Sequence, residues 1–138
     1  MSIILALDLG TTGNRAIAFN HDGSIAAQAY RKLTQHYPQP GWVEHDPEEI
    51  FINTVEVINE IVSKSKVPVD NIKCLSITNQ RETVVVWEKT TGKPICNAAV
   101  WQCLRGTEKC NELKSKGYDD LINKKTGLII DPYFSASK

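Results

Sequence analysis

The stretch "DLGTTGNR", residues 8–15, concentrates two glycines, two threonines, a carboxylate and a guanidinium in eight positions. A Gly-rich loop can aim successive backbone N–H groups at one point, and such a point attracts phosphate. Thr11 and Thr12 add hydroxyl donors, Gly13 and Asn14 continue the turn, and Arg15 adds a cation matched to phosphate oxygens. Asp8, at the end of an apolar run, could hold Mg2+ directly or through water beside a nucleotide. An ordinary hairpin turn, with Asp8 bonding its own backbone, also satisfies these residues. No G-x-x-x-x-G-K-[ST] occurs, so this is not a P-loop.

A second stretch, "ITNQRETVVVW" at 77–87, places Arg81 and Glu82 together at the break between two apolar runs. Gly, Asn or Asp would suit a turn there better. The residues allow two readings: a solvated turn with an incidental ion pair, worth little, or a pair of fixed donors and acceptors for a ligand. Trp101, after the apolar "AAV", and Tyr133, after Pro132, each read equally as core aromatics. Trp42 and His45 read as residues that shape a loop, and His21 and His36 as surface residues.

Composition narrows the classes. Among 138 residues, 16 Lys and Arg balance 16 Asp and Glu, so neither nucleic acid nor an anionic membrane is indicated as a partner. No apolar run reaches membrane-spanning length. The four cysteines form no C-x-x-C, and no His stands at ligand spacing from them, so zinc is not indicated. Cys74 and Cys96 fall in apolar, strand-like runs and are expected to be buried. Free thiols, with an N-terminus "MSIILALDLG" that lacks a basic region and is interrupted by Asp8, point to the cytoplasm.

The elements that must position these residues follow from periodicity. "IILALD", "RAIAFN" and "SIAAQAYRK", with the Asp22–Gly23 hairpin signal, predict a three-stranded antiparallel meander. "YPQPGWV" (37–43) is a loop, because Pro38 and Pro40 remove donors. Asp46 as N-cap, Pro47 at the first position and Glu49 as a capping-box partner open a long helix. Its apolar face is expected to comprise Ile50, Phe51, Thr54, Val55, Ile58, Ile61 and Val62, and Pro68 ends it. "IKCLSIT" (72–78) then predicts a strand parallel to one already laid down. "TVVVWEK" and "PICNAAVW" predict a hairpin around "TTGK", followed by two short helices ending at Gly117 and Gly127.

Five stretches in order, "ALDLGTTGNRAIAF", "PGWVEHDPEEI", "ITNQRETVVVWEKTTGKPI", "AAVWQC" and "KTGLIIDPYFSASK", resemble the N-terminal portion of the glycerol kinases within the FGGY family of carbohydrate kinases. The resemblance spans essentially the whole chain. It implies an α/β, ribonuclease-H-like (actin-like ATPase) half-domain, with residues 1–138 as an incomplete first segment of domain I and the C-terminal nucleotide-binding domain outside it. It implies ATP and Mg2+ as cofactors and phosphorylation of glycerol to sn-glycerol 3-phosphate in the full-length enzyme. By the same resemblance Arg81 and Glu82 hydrogen-bond glycerol's hydroxyls, Tyr133 is a third polar partner, and Trp101 is a wall against the carbon backbone. Thr11, Thr12, Gly13, Asn14 and Arg15 form the phosphate-binding turn, with Asp8 near the metal.

Adjacent Arg and Glu suit a polyol, whose every hydroxyl is both donor and acceptor. The general base is expected beyond Lys138, so the chain alone is expected to be inactive. An incomplete domain is also expected to self-associate or to need the missing portion. Leu9, Leu104 and Gly106 depart from the usual glycerol kinase pattern, and Leu104 and Gly106 bear on the local helix start. Two alternatives stand beside this reading: another polyol or sugar kinase of the same family, and a non-catalytic actin-like binding module.

Overall fold

The computed structural model describes residues 2–138. The chain divides into two compact units, Met1–Thr34 with Asp46–Gln80, and Gln35–His45 with Arg81–Lys138.

The first unit is built on a sheet of β1 (Ile3–Leu9), β2 (Gly13–Asn20), β3 (Ile25–Lys32) and β5 (Ile72–Thr78), in the order β3-β2-β1-β5. The first three strands run antiparallel as a meander, and β5 pairs in parallel with β1. Period-two alternation puts Ile3, Leu5 and Leu7 on one face with Ala16, Ala18 and Ala29 from the neighbouring strands. The small alanines let α1 (Pro47–Ser65) lie close, and Val57 and Ile61 of that helix are fully buried against them. A buried Val or Ile contributes about 1.5–3 kcal/mol, so this seam is the main glue of the unit.

Asp46 caps α1, its side chain accepting from the Glu48 amide at 2.9 Å. The helix ends where Lys66 turns left-handed, at φ 53°, two residues before Pro68. Two expectations for α1 need correction. Glu49 does not close a capping box: its carboxylate accepts from the amide and hydroxyl of Thr34, at 3.0 and 3.1 Å. The buried stripe is also rotated from the expected one. Phe51 and Val55 are 66% and 41% exposed, whereas Val57, absent from the expected face, is buried. The Asn14 side chain donates to the Ile50 carbonyl at 2.7 Å and the Thr54 hydroxyl at 2.8 Å, and so ties the part of the expected face that does meet the sheet.

The second unit has little regular pairing. β4 (Glu44–His45) pairs with β6 (Ala98–Ala99), and two short helices follow, α2 (Thr107–Ser115) and α3 (Asp119–Thr126). The expected hairpin after residue 82 exists as separate bridges rather than as continuous strands. Val84 and Ala99 exchange backbone bonds, the Ile95 amide reaches Val86, and the Glu88 amide reaches Lys93. Gly117 and Gly127 end the two helices at φ 74° and 73°, as their residue type predicts. The cysteine expectation is reversed. Cys74 and Cys96 are exposed, because β5 is an edge strand with an uncovered flank and Cys96 lies in the turn region before β6, while Cys103 and Cys110 are buried.

Candidate functional site

In the first unit the β1–β2 turn is shaped by its carbonyl oxygens. The Gly10 carbonyl accepts from the Gln80 side-chain amide at 3.0 Å, and the Gly13 carbonyl from the Gly10 amide at 3.1 Å. The Thr12 carbonyl accepts from both the Leu33 amide and the Tyr30 hydroxyl, each at 3.0 Å. Three carbonyls that would repel an anion are thus engaged by protein donors. Gly13 is required by close approach: a Cβ there would stand 2.3 Å from the Arg31 carbonyl and 2.4 Å from the Tyr30 hydroxyl. Sheet register lays Tyr30, Arg15, Asp8 and Thr78 in one cross-strand row at this end of the sheet. Asp8, Thr12 and Arg15 are exposed, and the Arg15 guanidinium lies 5.6 Å from the centre of the Tyr30 ring. Asn14 differs from the rest of the expected turn. Its side chain is fully buried with its amide on α1, so whatever it gives the turn comes from its backbone.

In the second unit Glu82, Trp101 and Tyr133 are linked through Ser135 and Lys138, and Arg81 precedes Glu82 in the chain. Trp101 and Tyr133 meet edge to face with ring centres 5.7 Å apart. The Thr83 hydroxyl accepts from the Trp101 amide at 3.3 Å, tying the segment after Glu82 to the one that carries the indole. Glu82 takes a left-handed backbone, φ 65°, which a non-glycine residue adopts only when its surroundings hold it. Its Oε2 accepts from the Ser135 hydroxyl at 2.6 Å and the Ser135 amide at 2.9 Å. These two bonds, helped by the Lys138 charge, keep the Glu82 carboxyl below the ordinary glutamate range. Lys138 donates to the Tyr133 carbonyl at 2.6 Å and to the Trp101 carbonyl at 3.4 Å. Burial pulls the Lys138 ammonium below its ordinary value. Arg81 is exposed, and among the described residues no Arg81–Glu82 ion pair forms, so the reading of this turn as an incidental ion pair is not what the structure shows; the Glu82 carboxylate bonds to Ser135.

The chain just past Trp101 is locked by a buried electrostatic knot. Arg105 donates to Cys103 Sγ at 3.1 Å and to Glu44 Oε1 at 2.5 Å, and its guanidinium lies 4.1 Å from the centre of the Trp42 ring. Burial alone would lower the Arg105 pKa, but the bonds to Cys103 and Glu44 outweigh it and the net shift is upward. Burial likewise pushes the Cys103 thiol up, and hydrogen bonds from the Arg105 side chain and from backbone groups of Val43 and Arg105, with the Arg105 charge, together more than reverse that. His45, fully buried, meets the Gln35 side chain at 2.9 Å, consistent with a loop-shaping role. The Leu104 amide binds the Gly41 carbonyl, and Gly106 leaves room for Ser137, whose Oγ would stand 2.3 Å from a Cβ at 106.

A sequence model of the FGGY family of carbohydrate kinases, N-terminal domain, matches residues 3–138. The chain belongs to that family. Curated relatives of this FGGY chain include the glycerol kinases of Shewanella frigidimarina, 53% identical over 135 residues, and of Rippkaea orientalis, 55% identical over 135 residues. Each alignment covers 98% of the chain but 27% of the relative, so the chain spans about a quarter of the length of the proteins it matches. Among solved structures, Plasmodium falciparum glycerol kinase with ADP superposes with a TM-score of 0.93 at 38% identity, covering 99% of this chain and 28% of that one. Xylulose kinase from Lactobacillus acidophilus superposes at 0.87 with 21% identity, over 96% of this chain and 26% of that one, a likeness of fold. The meander, crossover helix and parallel strand are therefore part of the actin-like ATPase fold.

Three residues that hold these stretches, Gln80 in the first unit and Ser135 and Lys138 in the second, carry no motif signal of their own. Nothing in their local periodicity marks them, since their partners lie 37 or more residues away for Gln80, Ser135 and the Lys138–Trp101 bond.

Proposed function

We propose that residues 1–138 form the incomplete first segment of domain I of a kinase that moves the γ-phosphoryl group of ATP to a hydroxyl of glycerol, giving sn-glycerol 3-phosphate and ADP. One observation carries this reading: the second unit gathers an exposed guanidinium, a carboxylate and an aromatic corner, on Arg81, Glu82, Trp101 and Tyr133. That set suits a small, neutral, polyhydroxy molecule. Arg81 donates to hydroxyl oxygens, Glu82 accepts from hydroxyl hydrogens, Tyr133 does either, and Trp101 covers the carbon chain. The names of the curated relatives support glycerol within that class.

The β1–β2 turn is assigned to the phosphates of ATP, through the backbone of residues 11–14, the threonine hydroxyls and Arg15. No cluster of three or more His, Cys, Asp or Glu suited to a metal occurs among the described residues. That fits Mg2+, which binds through one or two carboxylates and completes its shell with phosphates and water. Asp8 is the carboxylate that would hold it, and when bound the ion offsets triphosphate charge. In the transfer, the hydroxyl oxygen forms the new P–O bond, the bond from γ-phosphorus to the ADP oxygen breaks, and the hydroxyl proton goes to a base assigned outside this segment. Positioning and charge stabilisation supply the catalysis.

No helix among the described residues is long and apolar enough to cross a membrane. Leu75 and Ile77, on the α1-facing side of β5, are 50% and 59% exposed, which supports a need for the remaining portion or for self-association. The full-length protein that carries this segment, given glycerol and Mg-ATP, is expected to form glycerol 3-phosphate, and the 138-residue chain alone none. A full-length protein that hydrolyses or transfers nothing in the presence of glycerol, but phosphorylates a ketose, would replace glycerol in this reading.

A further inference from the structure

We propose that Ser135 is a positioning residue for the acceptor site: it holds Glu82 Oε2 from two directions so that Oε1 is presented to a substrate hydroxyl. The inference rests on the reading of Glu82 as a substrate ligand.

Both Ser135 donors fall on the same carboxylate oxygen, the hydroxyl at 2.6 Å and the amide at 2.9 Å. Among the described residues Oε1 has no hydrogen-bond partner. A carboxylate anchored through one oxygen keeps its ionised form and its plane, and leaves the other oxygen to accept. Glu82 needs such an anchor, because its left-handed backbone at φ 65° is otherwise strained. The anchor is itself fixed. The turn Ser135–Ser137 is closed by backbone bonds from Ser137 to Phe134 and from Lys138 to Ser135. Lys138 ties the same turn to the carbonyls of Trp101 and Tyr133. Gly106 admits Ser137 where any Cβ would collide with it. One short turn therefore sets the carboxylate, the indole and the phenol together. The Ser135 hydroxyl also lies 3.4 Å from the Glu82 carbonyl, so the same residue holds both the backbone and one carboxylate oxygen of Glu82.

The test uses Ser135→Ala, which removes the hydroxyl bond and keeps the amide bond, and Ser135→Thr, which keeps both. In the full-length protein, Ser135→Ala is expected to raise KM for glycerol about tenfold, the worth of one hydrogen bond to a charged group, with KM for ATP unchanged. Ser135→Thr restores it, and in a Glu82→Gln background Ser135→Ala has little further effect. An unchanged glycerol KM, or an equal effect with and without the Glu82 carboxylate, overturns the proposal.

A second reading in the 138-residue chain separates this from the wider function. Carbon-detected titration of the Glu82 carboxyl is expected to shift upward in Ser135→Ala and to stay low in Ser135→Thr. If the full-length protein phosphorylates no glycerol, the functional reading fails. The titration then still decides the Ser135–Glu82 link: equal values in wild type and Ser135→Ala refute it.

Discussion

The two units hold their candidate site residues by opposite means. In the first, a hydrogen-bonded sheet of four strands carries the turn, and backbone carbonyls of the turn are engaged by protein donors. In the second, the strands are two residues long, and side chains do the holding: Arg105 to Glu44 and Cys103, Ser135 to Glu82, Lys138 to Trp101 and Tyr133. Backbone sites depend on where glycine is tolerated. Side-chain sites depend on a few polar partners far apart in sequence. The first kind breaks by sterics and the second by deletion of a partner.

The largest expected effect belongs to the sheet-borne turn. Gly13→Ala places a methyl 2.3 Å from the Arg31 carbonyl, a backbone atom that cannot swing aside. Overpacking of this kind costs about 3 kcal/mol, and denaturant unfolding of the chain should show the loss. Next comes the knot of the second unit. Arg105→Met leaves Glu44, only 15% exposed at its side chain, without its cation. The cost should be about 2 kcal/mol, read as faster amide exchange in residues 81–138 while β1–β3 keep their protection. Equal loosening of both units would show that the division between backbone-held and side-chain-held regions is not an energetic one.

A smaller effect is pH-dependent. The Glu82 pKa is lowered on folding, so its share of stability is full above the ordinary glutamate value of 4.5 and disappears as pH falls through the lower folded value. Ser135→Ala should move that acid limb upward, toward 4.5, in a pH series of unfolding midpoints. Least should come from Glu112. Hydrogen bonds from Lys109 and Lys116 hold its pKa at about 2, yet the three side chains are 42–58% exposed. Glu112→Gln is expected to leave the midpoint unchanged within error at neutral pH.

The same contrast explains what the sequence disclosed. β1, β2, β3, α1 and β5 were legible because alternation, an Asp–Pro cap and a terminating Pro each act within a few residues. The rotation of α1, which buries Val57 and exposes Phe51 and Val55, was not, because it is set by packing on the sheet rather than by the helix's own period. Likewise the bond between Glu82 and Ser135, 53 residues on, has no signal in the local pattern around either residue. Cys103 is buried and bonded to Arg105 and Cys74 is exposed on an edge strand, facts of tertiary pairing that an apolar run does not contain.

The central claim, that the carboxylate held by Ser135 receives a glycerol hydroxyl, is tested most directly by glycerol-dependent kinetics of Glu82→Gln in the full-length protein. This account predicts a rise in KM for glycerol of about a hundredfold, the upper range for a lost charged hydrogen bond, with KM for ATP unaltered. A glycerol KM equal to that of the wild type would contradict it.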